Sequence, residues 1–221
     1  MIRVLVLSDI HERTRSLPRL ARRVRELGGV DLVLLAGDIT YFKPVEAAVK
    51  ILREIRESIG TPVFYVPGNC DDPRLTTDAE SAGDIVNIHG RHVVHGDYVF
   101  YGVGGGGISP FNTWIEYGEN DFKRLLENAK AHDPGRLVMV THQPIKGFFD
   151  EVNGVNIGSE AFREFLYSVQ PLLWVTGHVH EHSGWVRAGK TTVIHPGPFM
   201  RGYYALVSLS NSVVDTRVER L

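Results

Sequence analysis

Three short apolar runs, at residues 2–8, 31–36 and 62–66, alternate with two segments of helical periodicity. Leu17, Leu20, Ala21, Val24 and Leu27 recur at helical spacing behind Ser16, a candidate N-cap. Val45, Ala48, Val49, Leu52 and Ile55 do the same, with Pro44 near the first turn. The runs themselves read as buried strands. A β-α-β-α-β opening has few solutions, and the usual one is parallel strands joined by crossover helices.

Further along, residues 91–103 read as two strands joined by a turn at Gly96, followed by a glycine-rich loop at 102–107. Phe122, Leu125, Leu126 and Ala129 mark a helix, and 136–141 a strand. Phe162, Phe165, Leu166 and Val169 mark a helix capped by Ser159, and 171–176 another strand. The last forty residues differ: 184–187, 191–195, 203–209 and 213–218 read as antiparallel strands with no helix between them. The two halves thus supply two packed sheets flanked by helices. With no linker, repeat or low-complexity tract, residues 1–221 read as a single domain.

At 43% apolar and 23% charged residues, the composition excludes a disordered chain. A net charge of -2 offers no general field for nucleic acid, which is not expected as a partner. No apolar stretch reaches the ~18 residues of a membrane span, and the N-terminus lacks signal-peptide features. The single cysteine, Cys70, excludes an intrachain disulfide and fits a reducing compartment. The expectation is a soluble cytoplasmic protein.

The chemistry sits where five of the strands end. Asp9 and His11 follow the first, Gly37-Asp38 the second, and Gly68-Asn69 the third. His142 follows 136–141, and Gly177, His178 and His180 follow 171–176. In open α/β sheets ligands bind at that edge. Two Asp, one Asn and four His suit Mn, Fe, Zn or Ni, and differ from the thiolate set of a structural zinc site. Seven ligands exceed one tetrahedral ion and suit two ions if a carboxylate bridges. Glycines 37, 68 and 177 allow sharp exits and close backbone approach.

Each residue also has a plainer reading. Asp9 and Asp38 could be helix N-caps, His142 a core histidine, and His178 with His180 a surface pair. Their coincidence favours the metal reading. Cys70 reads as an inert thiol rather than a nucleophile, since no base and oxyanion motif accompany it. Residues 102–107 match G-x-G-x-x-G, but Ile108-Ser109-Pro110 intervenes before any helix. A flexible loop bordering the site is the better reading. His89, His92, His95 and His132 read as surface residues.

The order Asp9-x-His11, Gly37-Asp38, Gly68-Asn69-Cys70-Asp71, His142 and Gly177-His178-x-His180 resembles the calcineurin-like metallophosphoesterase superfamily. Gly102-Val103-Gly104-Gly105, Ser109-Pro110-Phe111-Asn112-Thr113, Gly158-Ser159 and His195-Pro196-Gly197-Pro198 are similar to its Icc-related prokaryotic branch. The resemblance implies an α/β fold of two packed mixed sheets flanked by helices, a four-layer α-β-β-α sandwich. It implies a first metal on Asp9, His11 and His180, a second on Asn69, His142 and His178, and Asp38 between them. Asp38, Asn69 and His142 would be catalytic.

The implied activity is hydrolysis of P–O bonds in a small phosphate ester by metal-activated hydroxide, with a phosphodiesterase favoured. A non-catalytic scaffold of the same fold and a small nuclease are the alternatives. The filled ligand set disfavours the first, and the charge balance the second. Cys70 stands where many members have a histidine that assists the leaving group, with the following Asp71 orienting it. A thiol is a weak donor, so diesters or activated esters with good leaving groups are expected. His195 stands where Asn is commoner. Glu12 replaces a common Gly and would either hydrogen-bond a ligand histidine or face solvent. His182 and Arg201 are candidates for touching a phosphate.

Overall fold

The computed structural model describes residues 1–77, 83–211 and 213–221. β1 (Ile2–Leu7), β2 (Leu32–Ala36) and β3 (Val63–Val66) are parallel and joined through α1 (Leu17–Glu26) and α2 (Val45–Ile59), as the apolar runs predict. β4 (Ile85–Asn87) extends this sheet. β5 (His92–His95) and β6 (Tyr98–Val103) form a hairpin turning at Gly96, and β7 (Gly106–Gly107) pairs with β8 (Glu116–Tyr117). α3 (Glu119–Leu126), β9 (Leu137–Thr141), the hairpin β10 (Glu151–Val152) and β11 (Val155–Asn156), α4 (Glu160–Val169) and β12 (Leu173–Val175) follow. Two hairpins end the chain: β13 (Gly184–Ala188) with β14 (Thr191–His195), and β15 (Tyr203–Ser210) with β16 (Val213–Arg220).

Two six-stranded sheets result, ordered β16-β15-β1-β2-β3-β4 and β13-β14-β12-β9-β6-β5. Each has four adjacent parallel strands and antiparallel strands at its margins, so both are mixed. Side-chain alternation makes the layers. In β1, Val4 and Val6 face the second sheet and meet Val138, Val140 and Val175, while Leu5 and Leu7 face α1 and α2. In the second sheet, Met139 and Trp174 pack outward on Phe122 of α3 and Phe162 of α4. Both faces of each central strand are covered, which is why these runs are continuously apolar. The result is the expected four-layer α-β-β-α arrangement. No helix among the described residues is long and apolar enough to cross a membrane.

Ser159 caps α4 by accepting from the Phe162 amide. Ser16 takes the N-cap position of α1 without a side-chain bond, and Pro44 is the N-cap of α2. Neither Asp9 nor Asp38 caps a helix, which removes the plain reading of both. β4, β7, β8, β10 and β11 have no counterpart in the sequence reading, because two or three residues show no periodicity.

Candidate metal centre

The exits of β1, β2, β3, β9 and β12 lie along one edge and bring all seven expected ligands together. Asp9, His11, Asp38 and His178 all adopt left-handed backbone angles, with φ of 54°, 44°, 49° and 77°. Such angles cost about 1–3 kcal/mol each at a non-glycine residue and persist only where surroundings hold them. Here the loops hold one another. The Asp9 amide donates to Gly37 O (3.0 Å), the Ile10 amide to Asp38 O (2.9 Å), and the His178 amide to Asp9 Oδ2 (3.2 Å). Close packing requires glycine at the exits that carry Gly37, Gly68 and Gly177. A Cβ on Gly37, at φ +84°, would lie 2.4 Å from His142 Nδ1, and one on Gly68 2.0 Å from Asp38 Oδ1.

Two clusters form. Ligand atoms of Asp9, His11 and His180 lie within 4.8 Å of one another, and so do those of Asp38, His142 and His178. Asp38 faces both, with Oδ2 3.5 Å from His11 Nε2 and Oδ1 3.4 Å from His142 Nε2. Asp9 Oδ1 is 3.1 Å from His180 Nε2, while its Oδ2 accepts from the Ser8 hydroxyl at 2.5 Å. Burial opposes the charge on both aspartates. The surrounding histidines outweigh it, chiefly His180 at Asp9 and His142 at Asp38, and hold both below the usual carboxylate range.

His142 shows that these residues fit a cation. Its Nδ1 is 2.8 Å from the Ala36 carbonyl, which can only accept, so Nδ1 carries a hydrogen. The neutral ring then presents a lone pair at Nε2. That atom is faced by Asn69 Oδ1 at 2.9 Å, His178 Nδ1 at 3.2 Å and Asp38 Oδ1. The Asn69 and Asp38 oxygens bring electron pairs to the same point as the His142 lone pair, an arrangement that a proton or a metal ion there makes favourable. Burial lowers the His142 pKa, but Asp38 and Asp9 override it and raise it to about 9. His178 is pushed down to about 4 by burial and by His142.

Other candidates take different places. Asp71 is fully buried and accepts four hydrogen bonds: Ile39 N (3.1 Å), Thr40 N (2.7 Å), Thr40 Oγ1 (2.8 Å) and Gly68 N (2.8 Å). It ties the β2 exit to the β3 exit. Burial and the Asp38 charge raise its pKa to about 7, while the four donors favour the carboxylate. The pKa of the buried Cys70 thiol is pushed far up by burial and then by Asp38. Glu12 accepts from the Tyr41 amide, while the buried Nδ1 of His11 has no hydrogen-bond partner among the described residues. The Glu12–histidine bond is therefore not made. His182 donates to Glu151 O at 2.8 Å, and Arg201 donates to His180 O at 3.0 Å. Arg201 thus braces a ligand loop through its backbone.

The glycine-rich loop is pinned, contrary to the flexible reading. Gly104 N donates to His89 Nδ1, Gly105 N to Pro67 O, Gly106 N to Ile115 O and Gly107 N to Gln143 Oε1. His89 is accordingly buried against Tyr117, which corrects its surface assignment. Sequence reasoning also missed Ser8, Gln143 and an edge-to-face chain running His11–Tyr41–Phe42–Trp114. No local pattern marks any of them.

His195 donates from Nε2 to Gly177 O at 3.0 Å and accepts the Gly197 amide at Nδ1 (3.1 Å), steadying the loop that carries His178. Burial pushes His89 and His195 each down to about 4. Both stay neutral when folded, whereas the unfolded chain protonates them below about 6.5. Stability contributed by each is therefore present above pH 6.5 and lost as pH falls toward 4, at about 1.4 kcal/mol per pH unit. His89→Gln should remove one such increment from the slope of unfolding free energy between pH 6 and 4.5, measured by urea titration. An unchanged slope would show that His89 protonates in the folded state.

The profile of the calcineurin-like phosphoesterase family matches residues 2–182. An uncharacterised protein of Methanocaldococcus jannaschii is 26% identical over 219 residues, covering 96% of this chain and 95% of its own. The crystal structure of a Thermus thermophilus protein superimposes with a TM-score of 0.71 at 20% identity, covering 98% of both chains. A purple acid phosphatase from yellow lupin seeds shares the fold at a TM-score of 0.60 and 12% identity, over 99% of this chain and 51% of that one. The family match spans most of the sequence and contains all seven residues brought together at the sheet edge: this chain belongs to the calcineurin-like phosphoesterase family, whose members typically bind divalent metals.

Proposed function

We propose that this protein is a phosphodiesterase acting on a small ester through two divalent ions. Asp9, His11 and His180 would hold one, Asn69, His142 and His178 the other, and Asp38 would reach both. The observation that carries this reading is the convergence of lone pairs on His142 Nε2 beside the carboxylate that also faces His11. Such ions, once bound, polarise a phosphoryl oxygen and lower the pKa of coordinated water.

The chain's own residues do the rest. Ala36 O fixes the His142 tautomer, so its lone pair points into the site. Asp71 and the Ser8 hydroxyl keep the loops and Asp9 in place before any ligand arrives. Cys70 lines the cleft with a protonated, weakly donating thiol, so a leaving alcohol receives little help from that position. This supports diesters of acidic alcohols over simple alkyl monoesters. The lone buried cysteine also supports a reducing, cytoplasmic setting.

Exhaustive chelation should abolish hydrolysis of bis(4-nitrophenyl) phosphate, and Mn²⁺ should restore it. Full activity after chelation would overturn the metal mechanism.

A further inference from the structure

We propose that one arm of the ester is an uncharged aromatic or branched apolar group, seated in a hollow beside His178 and His180; this rests on the metal-centre reading above. The hollow holds about 380 Å³ and opens directly onto Asn69 and the two histidines. That is a size suited to a small-molecule substituent. The apolar lining of the hollow includes Ile108, Phe111, Val152 and Ile157.

Ile108 is 79% exposed and Phe111 82%, so neither contributes much to the core. Large apolar side chains converging on a polar site, rather than scattered singly, mark a binding surface. The walls are also prebuilt. Glu116 accepts from Ser109 N (3.3 Å), Ser109 Oγ (2.7 Å), Thr113 N (2.9 Å) and Thr113 Oγ1 (2.6 Å), fixing the loop that bears Phe111. Gln143 spans the floor, accepting from Gly107 N at 2.9 Å and donating to Ile157 O at 2.6 Å. A ligand entering here orders little, which preserves affinity.

Charge decides the chemistry of the arm. Among the described residues, no lysine or arginine lines the hollow and Glu181 is the one carboxylate. A second phosphate, or a nucleic-acid backbone, would meet no cation there. The adjoining hollow of about 430 Å³ is the cleft over the clusters themselves, lined by His11, Asp38, Asn69, Cys70, His178 and His180.

Phenylphosphonate and methylphosphonate share an anionic head and differ only in the arm. Calorimetric titration of each into manganese-loaded protein tests the assignment. Phenylphosphonate should bind at least ~10-fold more tightly, the low end of apolar-pocket discrimination. Ile108→Ser combined with Phe111→Ser should bring the two affinities within about threefold at unchanged manganese content. Val94→Ser, exposed on β5, should leave the preference intact. Equal binding of the two phosphonates by the wild type overturns the apolar arm while leaving the anion site standing. Failure of both to bind overturns the metal-centre reading, and this assignment with it.

Discussion

Asp38→Ala should lower hydrolysis of a nitrophenyl diester by about 10³-fold at saturating Mn²⁺, whereas Glu12→Ala should stay within about threefold of wild type. The difference follows from what each side chain reaches. Asp38 places one oxygen near His11 and the other near His142, so its loss removes a carboxylate oxygen from beside both clusters. Glu12 only accepts from the Tyr41 amide. Backbone strain must be separated from charge, because Asp38 has φ +49°. Asp38→Asn tolerates that angle and keeps an acceptor for the Cys70 amide, yet removes the charge. It should be nearly as damaging as alanine. Steady-state rates with metal content measured on the same samples check this, and equal activity for the Asp38 and Glu12 variants would remove Asp38 from the shared position.

Asp71→Ala should destabilise the protein by about 2–4 kcal/mol, because buried donors left unpaired cost about 1–3 kcal/mol each, partly offset by relief of the repulsion with Asp38. Three backbone amides and the Thr40 hydroxyl would lose their acceptor in a region closed to water. Asp71→Asn should recover only part of the loss, since its NH₂ group must face donors. Denaturant unfolding of metal-free protein measures both. A loss below ~1 kcal/mol for Asp71→Ala would show that the two loops hold together without it.

The core of the fold was legible because it rests on patterns that single sequences display. Runs such as 31–36 are apolar throughout because sheets and helices cover both faces. Their parallel direction puts Asp9, Asp38, Asn69, His142 and His178 on one edge without further information. What stayed hidden depends on partners distant in sequence. His89 looks like a turn residue, and its burial comes from Gly104 and Tyr117, which fold over it. The glycine-rich loop looks loose until Pro67, Ile115 and Gln143 take up its amides. Asp71 lies in a recognisable motif, but its four donors come from two loops about thirty residues apart. Left-handed angles at Asp9, His11, Asp38 and His178 are likewise set by loop-to-loop bonds rather than by residue type.

Anomalous scattering from crystals grown with manganese tests the central claim most directly. Two peaks about 3.5–4 Å apart should appear. One should lie among Asp9, His11 and His180, the other among Asn69, His142 and His178, with Asp38 in contact with both. A single peak, or manganese bound away from these seven side chains, would contradict it.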